Sequence, residues 1–395
     1  MPEYPDPLEE LDAGLAELDS AGLRRRRRIV TTPCRPDTRL ADREDAVTAF
    51  CSNDYLGLAA EPALAAAAHQ GIDRWGVGSG ASHLVSGHYA SHEALETRLA
   101  TFVGMEDALY FSTGYMANIG VMPALIGRGD AIFADKVNHA SLVDGALLSR
   151  AELIRYPHCD VHALAARLQA STAPRKLIVT DGVFSMDGDI APLRELLALA
   201  ETHKAWLLVD DAHGFGVLGP QGRGCLAHFG LSSPRLIYMG TLGKAAGVSG
   251  AFVAGQRNVI DWLLNKTRSY IFTTGAPPLL AEALLTAVDL IEHGDARRTH
   301  LQALITRFKA GLTLKRWQLL PSDTPIQPVV IGDNHETLAV SRALDAEGLW
   351  VPAIRPPTVP KGAARLRIVL SAAHSEAQVD RLVATLLRLE GGASI

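Results

Sequence analysis

AWLLVDDAHG (205–214) is a short apolar run that stops abruptly at two aspartates and a histidine. A run apolar at successive positions, not alternate ones, belongs to a strand covered on both faces, as in a mainly parallel sheet flanked by helices. KLIVTDG (176–182), RLIYMGTLGK (235–244) and GAFVAG (250–255) repeat the pattern, and strand-like and helix-like stretches alternate from about 105 to 255. One helical stretch, PLRELLALAETHKA, puts Pro192 at a favoured first helical position. The fold class is therefore α/β. Three of the runs end in polar clusters that hold Asp181, Ser185, Asp210, Asp211, His213, Thr241 and Lys244. In open α/β sheets ligands bind beyond the carboxyl ends of the strands, so these clusters are expected to meet in one crevice.

Outward from this core, residues 279–316 read as one long connecting helix or two. A smaller α+β unit follows, with strand PIQPVVIG, helix ETLAVSRALDAEG closing at Gly348, strands LWVPAI and RLRIVLS, and a last helix. Ser375 and Gln378 form a capping box for that helix. At the other end Leu8, Leu11, Leu15 and Leu18 recur at helical spacing and share one face. Arg24 to Arg28 follow Gly22, a run that as charge alone is a solvated basic patch. The expected division is an arm (1–45), a large domain (46–285) and a small C-terminal domain (286–395).

Composition narrows the function classes. A chain of 395 residues, 48% apolar and 21% charged, buries a full core and suits two or three domains. Its net charge of −5 gives no pull toward nucleic acid or anionic membrane, and no second basic stripe accompanies the arginines. Cys34, Cys51, Cys159 and Cys225 are scattered without a CxxC pair, which argues against disulfides and structural zinc. The start MPEYPDPLEELD is acidic and lacks the apolar run of a secretory signal. No stretch has the roughly 20 apolar residues of a spanning helix, so a cytoplasmic protein is expected.

Lys244 lies in TLGKAAG, directly after a buried strand and between Gly243 and Gly247. Partial desolvation there lowers an amine's pKa toward reactivity, although a surface lysine in a strand–helix turn would read the same way. A phosphate-binding P-loop is excluded, because Ala245 follows the lysine and Tyr238 stands where a glycine is needed. Asp210 ends a strand, where a carboxylate is costly unless it meets a cation, and His213 follows in the same turn. His139, in NHASLVDG, is a candidate to stack on a flat ring. Ser112, Thr113, Gly114 and Tyr115 precede an apolar helix whose first N–H groups make a ready phosphate cradle, and Ser185 and Thr241 add hydroxyls. An amine, a buried carboxylate, an imidazole and phosphate donors are the four provisions a pyridoxal 5′-phosphate (PLP) enzyme makes for its cofactor. GVGSGASHLVSG (76–87) lacks the spacing of a dinucleotide fingerprint. His158, Cys159, Asp160 and His162 have no second ligand set at familiar spacing, so they read as a surface loop and no metal is expected.

Together these segments resemble the α-oxoamine synthase family of fold-type I PLP enzymes. The likeness runs from SNDYLGLA (52–59) through GSGASHLVSG, DKVNHASLVDG, DGVFSMDGD, VDDAHGFGVLG and TLGKAAGVSG to AIRPPTVP (353–360), in order and over nearly the whole chain. The resemblance implies a large domain with a mainly parallel seven-stranded sheet, a smaller α+β C-terminal domain, and a homodimer with active sites at its interface. LRRRRR, GASHLVSGHYASHEALE and AIRPPTVPKGAARLRIVLS bring the chain nearest the biotin-pathway branch, which condenses L-alanine with pimeloyl-CoA or pimeloyl-acyl carrier protein and releases CO₂. Glycine-using members, 2-amino-3-ketobutyrate ligase and 5-aminolevulinate synthase, are the alternatives within the family. A non-catalytic PLP-binding module is the alternative outside it, and no DNA-reading segment supports that.

The same resemblance assigns roles by position. Lys244 would link the cofactor, Asp210 would face its ring nitrogen, His139 would stack on the ring and His213 would bond its phenolic oxygen. Gly114, Tyr115, Ser185 and Thr241 would contact the cofactor, and Thr273 and Thr274 would reach the phosphate in the neighbouring subunit. Arg355 would grip the substrate carboxylate, with Arg24 and Thr358 at the acyl substrate. Two positions depart from the family pattern and are expected to reshape the pocket: Tyr115, where phenylalanine is frequent, and Phe215, where a smaller residue is.

Overall fold

The computed structural model describes residues 6–392. Seven strands form the main sheet: β1 (Asp107–Phe111), β2 (Ala131–Asp135), β3 (Glu152–Tyr156), β4 (Lys176–Asp181), β5 (Trp206–Asp210), β6 (Leu236–Thr241) and β7 (Ala251–Gly255). Their order is β1-β7-β6-β5-β4-β2-β3, and only β7 runs against its neighbours. Alternate residues of each apolar run feed two separate cores. Ile178, Leu207, Val209 and Tyr238 pack on one side of the sheet, and Leu177, Val179, Leu208, Ile237 and Met239 on the other. That is why the runs show no polar face.

Register then positions the chemistry. β4 and β5 pair with Asp181 opposite Asp210, so both carboxylates end the sheet side by side. The helix α2 (Gly114–Leu125) follows β1, and α3 (Ala140–Ser149) follows β2. Pro192 stands just outside the helix Leu193–Thr202 as its cap, one place earlier than expected. The connecting region is two helices, Pro278–Glu292 and Asp295–Gly311, separated at His293 and Gly294.

In the C-terminal unit β8 (Gln318–Leu319), β9 (Ile326–Gly332), β10 (Ala353–Ile354) and β11 (Ala364–Val369) form an antiparallel sheet ordered β8-β9-β11-β10. The last helix carries the anticipated capping box, Ser375 with Gln378. A third small sheet joins the chain ends, with Val47–Ala49 between Asp37–Thr38 and the parallel strand Leu349–Trp350. The N-terminal helix α1 (Pro7–Ser20) forms, but none of its leucines is buried: Leu8 and Leu11 are 70% and 65% exposed, and Leu15 and Leu18 40% and 42%. No helix among the described residues is long and apolar enough to cross a membrane.

Candidate active site

The ends of β4, β5 and β6 and the starts of α2 and α3 enclose a cavity of about 170 Å³. Its lining includes Lys244, Asp210, His213, His139, Thr241, Gly114 and Tyr115, seven of the positions expected from the sequence. Lys244 follows β6 in a turn closed by the Gly247 N–H bonding to the Lys244 carbonyl at 2.9 Å. Gly247 has φ +71°, and a Cβ there would lie 2.6 Å from the Ala59 nitrogen, so glycine alone lets this turn rest on SNDYLGLA. Burial lowers the Lys244 pKa, and Asp210 and Asp181 pull it back up.

Asp210 accepts hydrogen bonds from the Asn118 amide at 2.7 Å and the Ala212 N–H at 3.1 Å. Its neighbour Asp181 accepts from the His139 N–H at 2.8 Å. Burial, then the Asp210 charge, raise the Asp181 pKa well above the usual carboxylate range. His213 shares its Nδ1 with the Tyr55 hydroxyl. Burial, then Lys244 and Arg367, push it well below the ordinary imidazole range, which keeps it neutral.

At the start of α2, Thr113 accepts from the Met116 N–H at 3.1 Å, and the first helical bond runs from Ala117. The Gly114 and Tyr115 N–H groups lie ahead of that bond and are free for an anion. A Cβ on Gly114 would meet Thr241 Cγ2 at 2.8 Å, so this glycine lets the helix start abut β6. Tyr115 donates to Asp144. Phe215 lies away from the cavity, edge-on to Phe102 and Phe252 in the core, so it does not shape the pocket as expected.

Two wider cavities adjoin. One of about 710 Å³ runs from His139 past Ser185 to Lys136, Arg25 and Thr358. The other, about 370 Å³, holds Arg24, Arg355 and Thr358 with Arg25 and Arg26. Arg25 donates to Thr358 Oγ1 at 3.2 Å across the wall they share, while Arg24 is paired with Asp19 of α1. Burial, then Arg25, lower the Arg355 pKa, and its buried Nε has no partner. Thr273 and Thr274 line none of these cavities; Thr274 bridges Ser82.

Sequence reasoning missed Asn118, Tyr55, Asn53 and Arg367. Arg367, 7% exposed on β11, donates to the Ser185 carbonyl at 2.6 Å and to Asn53 Oδ1 at 3.2 Å. Asn118 sits one helical turn after Gly114, and Asn53 and Tyr55 lie inside SNDYLGLA, so position was a usable signal for those three.

Among the described residues, three metal-like clusters lie outside this cavity, two of them sharing His88, the third at Asp135, His158 and Cys159. His83 and His88 bring Nδ1 atoms to 3.0 Å, but the nitrogens of His92 are engaged by the Tyr89 N–H and the Ala276 carbonyl. His158 is clamped between Asp135 and Asp189 at 3.1 and 2.9 Å, and Asp160 caps the next helix instead of joining it.

The residues fit PLP: a desolvated amine, a hydrogen-bonded carboxylate, an imidazole and free N–H groups surround one cavity at the strand ends. Comparison with known proteins agrees. The family described as aminotransferase class I and II matches residues 45–386. The 8-amino-7-oxononanoate synthase of Azoarcus sp. (strain BH72) is 69% identical over 386 residues, covering 98% of each chain. A Sphingomonas wittichii serine palmitoyltransferase superposes with TM-score 0.92 at 33% identity, over 98% of this chain and 99% of that one. A serine palmitoyltransferase from S. paucimobilis with bound PLP–myriocin aldimine gives TM-score 0.90 at 30% identity, over 98% and 100%. With that agreement along nearly its whole length, the chain belongs to the class I and II aminotransferase family, among its 8-amino-7-oxononanoate synthases.

Proposed function

We propose that this chain condenses L-alanine with a pimeloyl thioester, giving 8-amino-7-oxononanoate, CO₂ and the free thiol, with PLP held at Lys244. The observation that carries this is the shared cavity of Lys244, Asp210, His139 and His213, opening toward a larger one suited to an acyl chain. When bound, PLP supplies an electron sink for negative charge at the amino-acid α-carbon. Asp210 would face the ring nitrogen of the bound cofactor, and His213, braced by Tyr55, would hold its phenolic oxygen. Lys244, at the same cavity, would take the α-proton, and burial lowers its pKa in the direction a base needs. Gly114, Tyr115 and Thr241 would hold the phosphate, and Ser185 would contact the cofactor. Arg355 grips the alanine carboxylate, while Arg24 and Thr358 hold the acyl thioester.

Phe272, Leu84 and Val85 are 70%, 51% and 79% exposed, which supports a homodimer that covers them. Thr273 and Thr274, next to Phe272, then reach the phosphate of the partner's site. The chain divides in this reading into an arm (1–45), a large domain (46–285) and a small domain (286–395), and acts in the cytoplasm.

The test is product formation from pimeloyl-CoA with alanine or glycine. Alanine gives the nine-carbon keto amine with release of thiol, and Lys244→Ala abolishes turnover. Steady-state product from the Lys244→Ala variant, or turnover with glycine alone, overturns the reading.

A further inference from the structure

His139 does more than cap α3, because its ring ends a directional chain of hydrogen bonds that begins at Asp210. The Asn118 amide gives one N–H to Asp210 at 2.7 Å and the other to Ser141 Oγ at 2.9 Å. Its own oxygen is buried with no partner. Turning the amide over would satisfy neither acceptor and would set that oxygen against the carboxylate, so Asp210 fixes which way Asn118 points. Ser141 Oγ, accepting from Asn118, has one proton left to give, and His139 Nδ1 lies 2.8 Å away. The Ser141 N–H points at the same nitrogen from 3.3 Å. A ring nitrogen facing two donors presents a lone pair, so the ring proton belongs on Nε2.

We propose that Asn118 and Ser141 are positioning residues that hold His139 as its neutral Nε2–H tautomer, making it a hydrogen-bond donor to substrate and not a proton acceptor. This rests on His139 belonging to the proposed site. The surroundings agree. Burial lowers the pKa of the ring; Asp210 and Asp144 raise it, Lys244 lowers it, and the net direction is down. Asp181 is occupied by the His139 backbone N–H and does not compete for the ring. Division of labour follows: Lys244 moves the proton, and His139 orients the group that receives its Nε2–H.

The test is ¹⁵N NMR of the holoenzyme with labelled histidine, the His139 signals being assigned by their loss in His139→Asn. At neutral pH Nδ1 is expected to be unprotonated and Nε2 protonated. In Ser141→Ala the ring titrates at higher pH, and kcat/KM for alanine falls about tenfold on the acid side of the profile, as for loss of one hydrogen bond. Ser141→Thr restores both, and Asn118→Leu repeats the Ser141→Ala result. A protonated Nδ1 in the wild-type enzyme, or an unmoved titration in Ser141→Ala, overturns the proposal. If the variants fail to fold, the wild-type signal decides. The NMR readout needs no turnover, so it is separate from the fate of the Lys244→Ala test.

Discussion

A single buried carboxyl shows how a residue far from the reacting atoms sets a pH response. Glu96 is 7% exposed and accepts the Tyr110 N–H at 2.7 Å. Burial raises its pKa to about 8 from 4.5. The folded chain therefore binds a proton that the unfolded chain has released, so stability falls as pH climbs from 4.5 to about 8 and is level above that. Glu96→Gln is expected to flatten this slope, read as urea midpoints at pH 5 and pH 8.5; an unchanged slope would mean that Glu96 stays ionised throughout. The residue scale is also where the sequence was easiest to read. Lys244, Asp210 and His213 each follow directly on an apolar strand, so local order alone set them at one edge of the sheet. Arg367 was illegible for the converse reason: it sits mid-strand in RLRIVLS, where alternation marks a face without telling what the face meets.

Elements are joined by ions that no local pattern announces. His158, just past β3, bonds Asp135 at the end of β2 and Asp189 beyond β4, and these two carboxylates push its pKa up to about 12. Three strand ends are thereby tied at one charged knot. His158→Leu leaves Asp135, 1% exposed, with only the Val137 and Cys159 N–H groups, and is expected to cost about 2 kcal/mol in urea unfolding, less than a fully buried pair because His158 meets solvent. A loss below ~1 kcal/mol would reduce the knot to a surface contact. The strands themselves were legible because their two-sided burial prints continuous apolar runs. The reversed direction of β7 was not, since GAFVAG reads the same either way along the sheet. The helix α1 shows the opposite limit: its leucine spacing gave the helix correctly and could not say what that face would touch.

For the whole molecule, the exposed turn His83–Gly87 and the segment after Ile271 present Leu84, Val85 and Phe272 together with the threonines proposed to serve a second site. Val85→Glu with Phe272→Glu is expected to halve the mass seen by light scattering and to remove activity while leaving the fold's circular dichroism intact. An active monomer would separate Thr273 and Thr274 from catalysis. The small sheet that joins the chain ends has a different consequence. Thr48 donates to the Gly348 carbonyl at 2.8 Å, Phe50 to the Trp350 carbonyl at 3.0 Å, and Val369 back to the Phe50 carbonyl at 2.9 Å. Asn53, a few residues on, braces Arg367 near the end of the chain. On the ribosome the first of these partners emerges about 300 residues before the second. The large sheet and the cavity at Lys244 can close while synthesis continues, but the cavities walled by Arg355 and Thr358 cannot, so a stalled or truncated polypeptide is born without the walls proposed to hold its substrates.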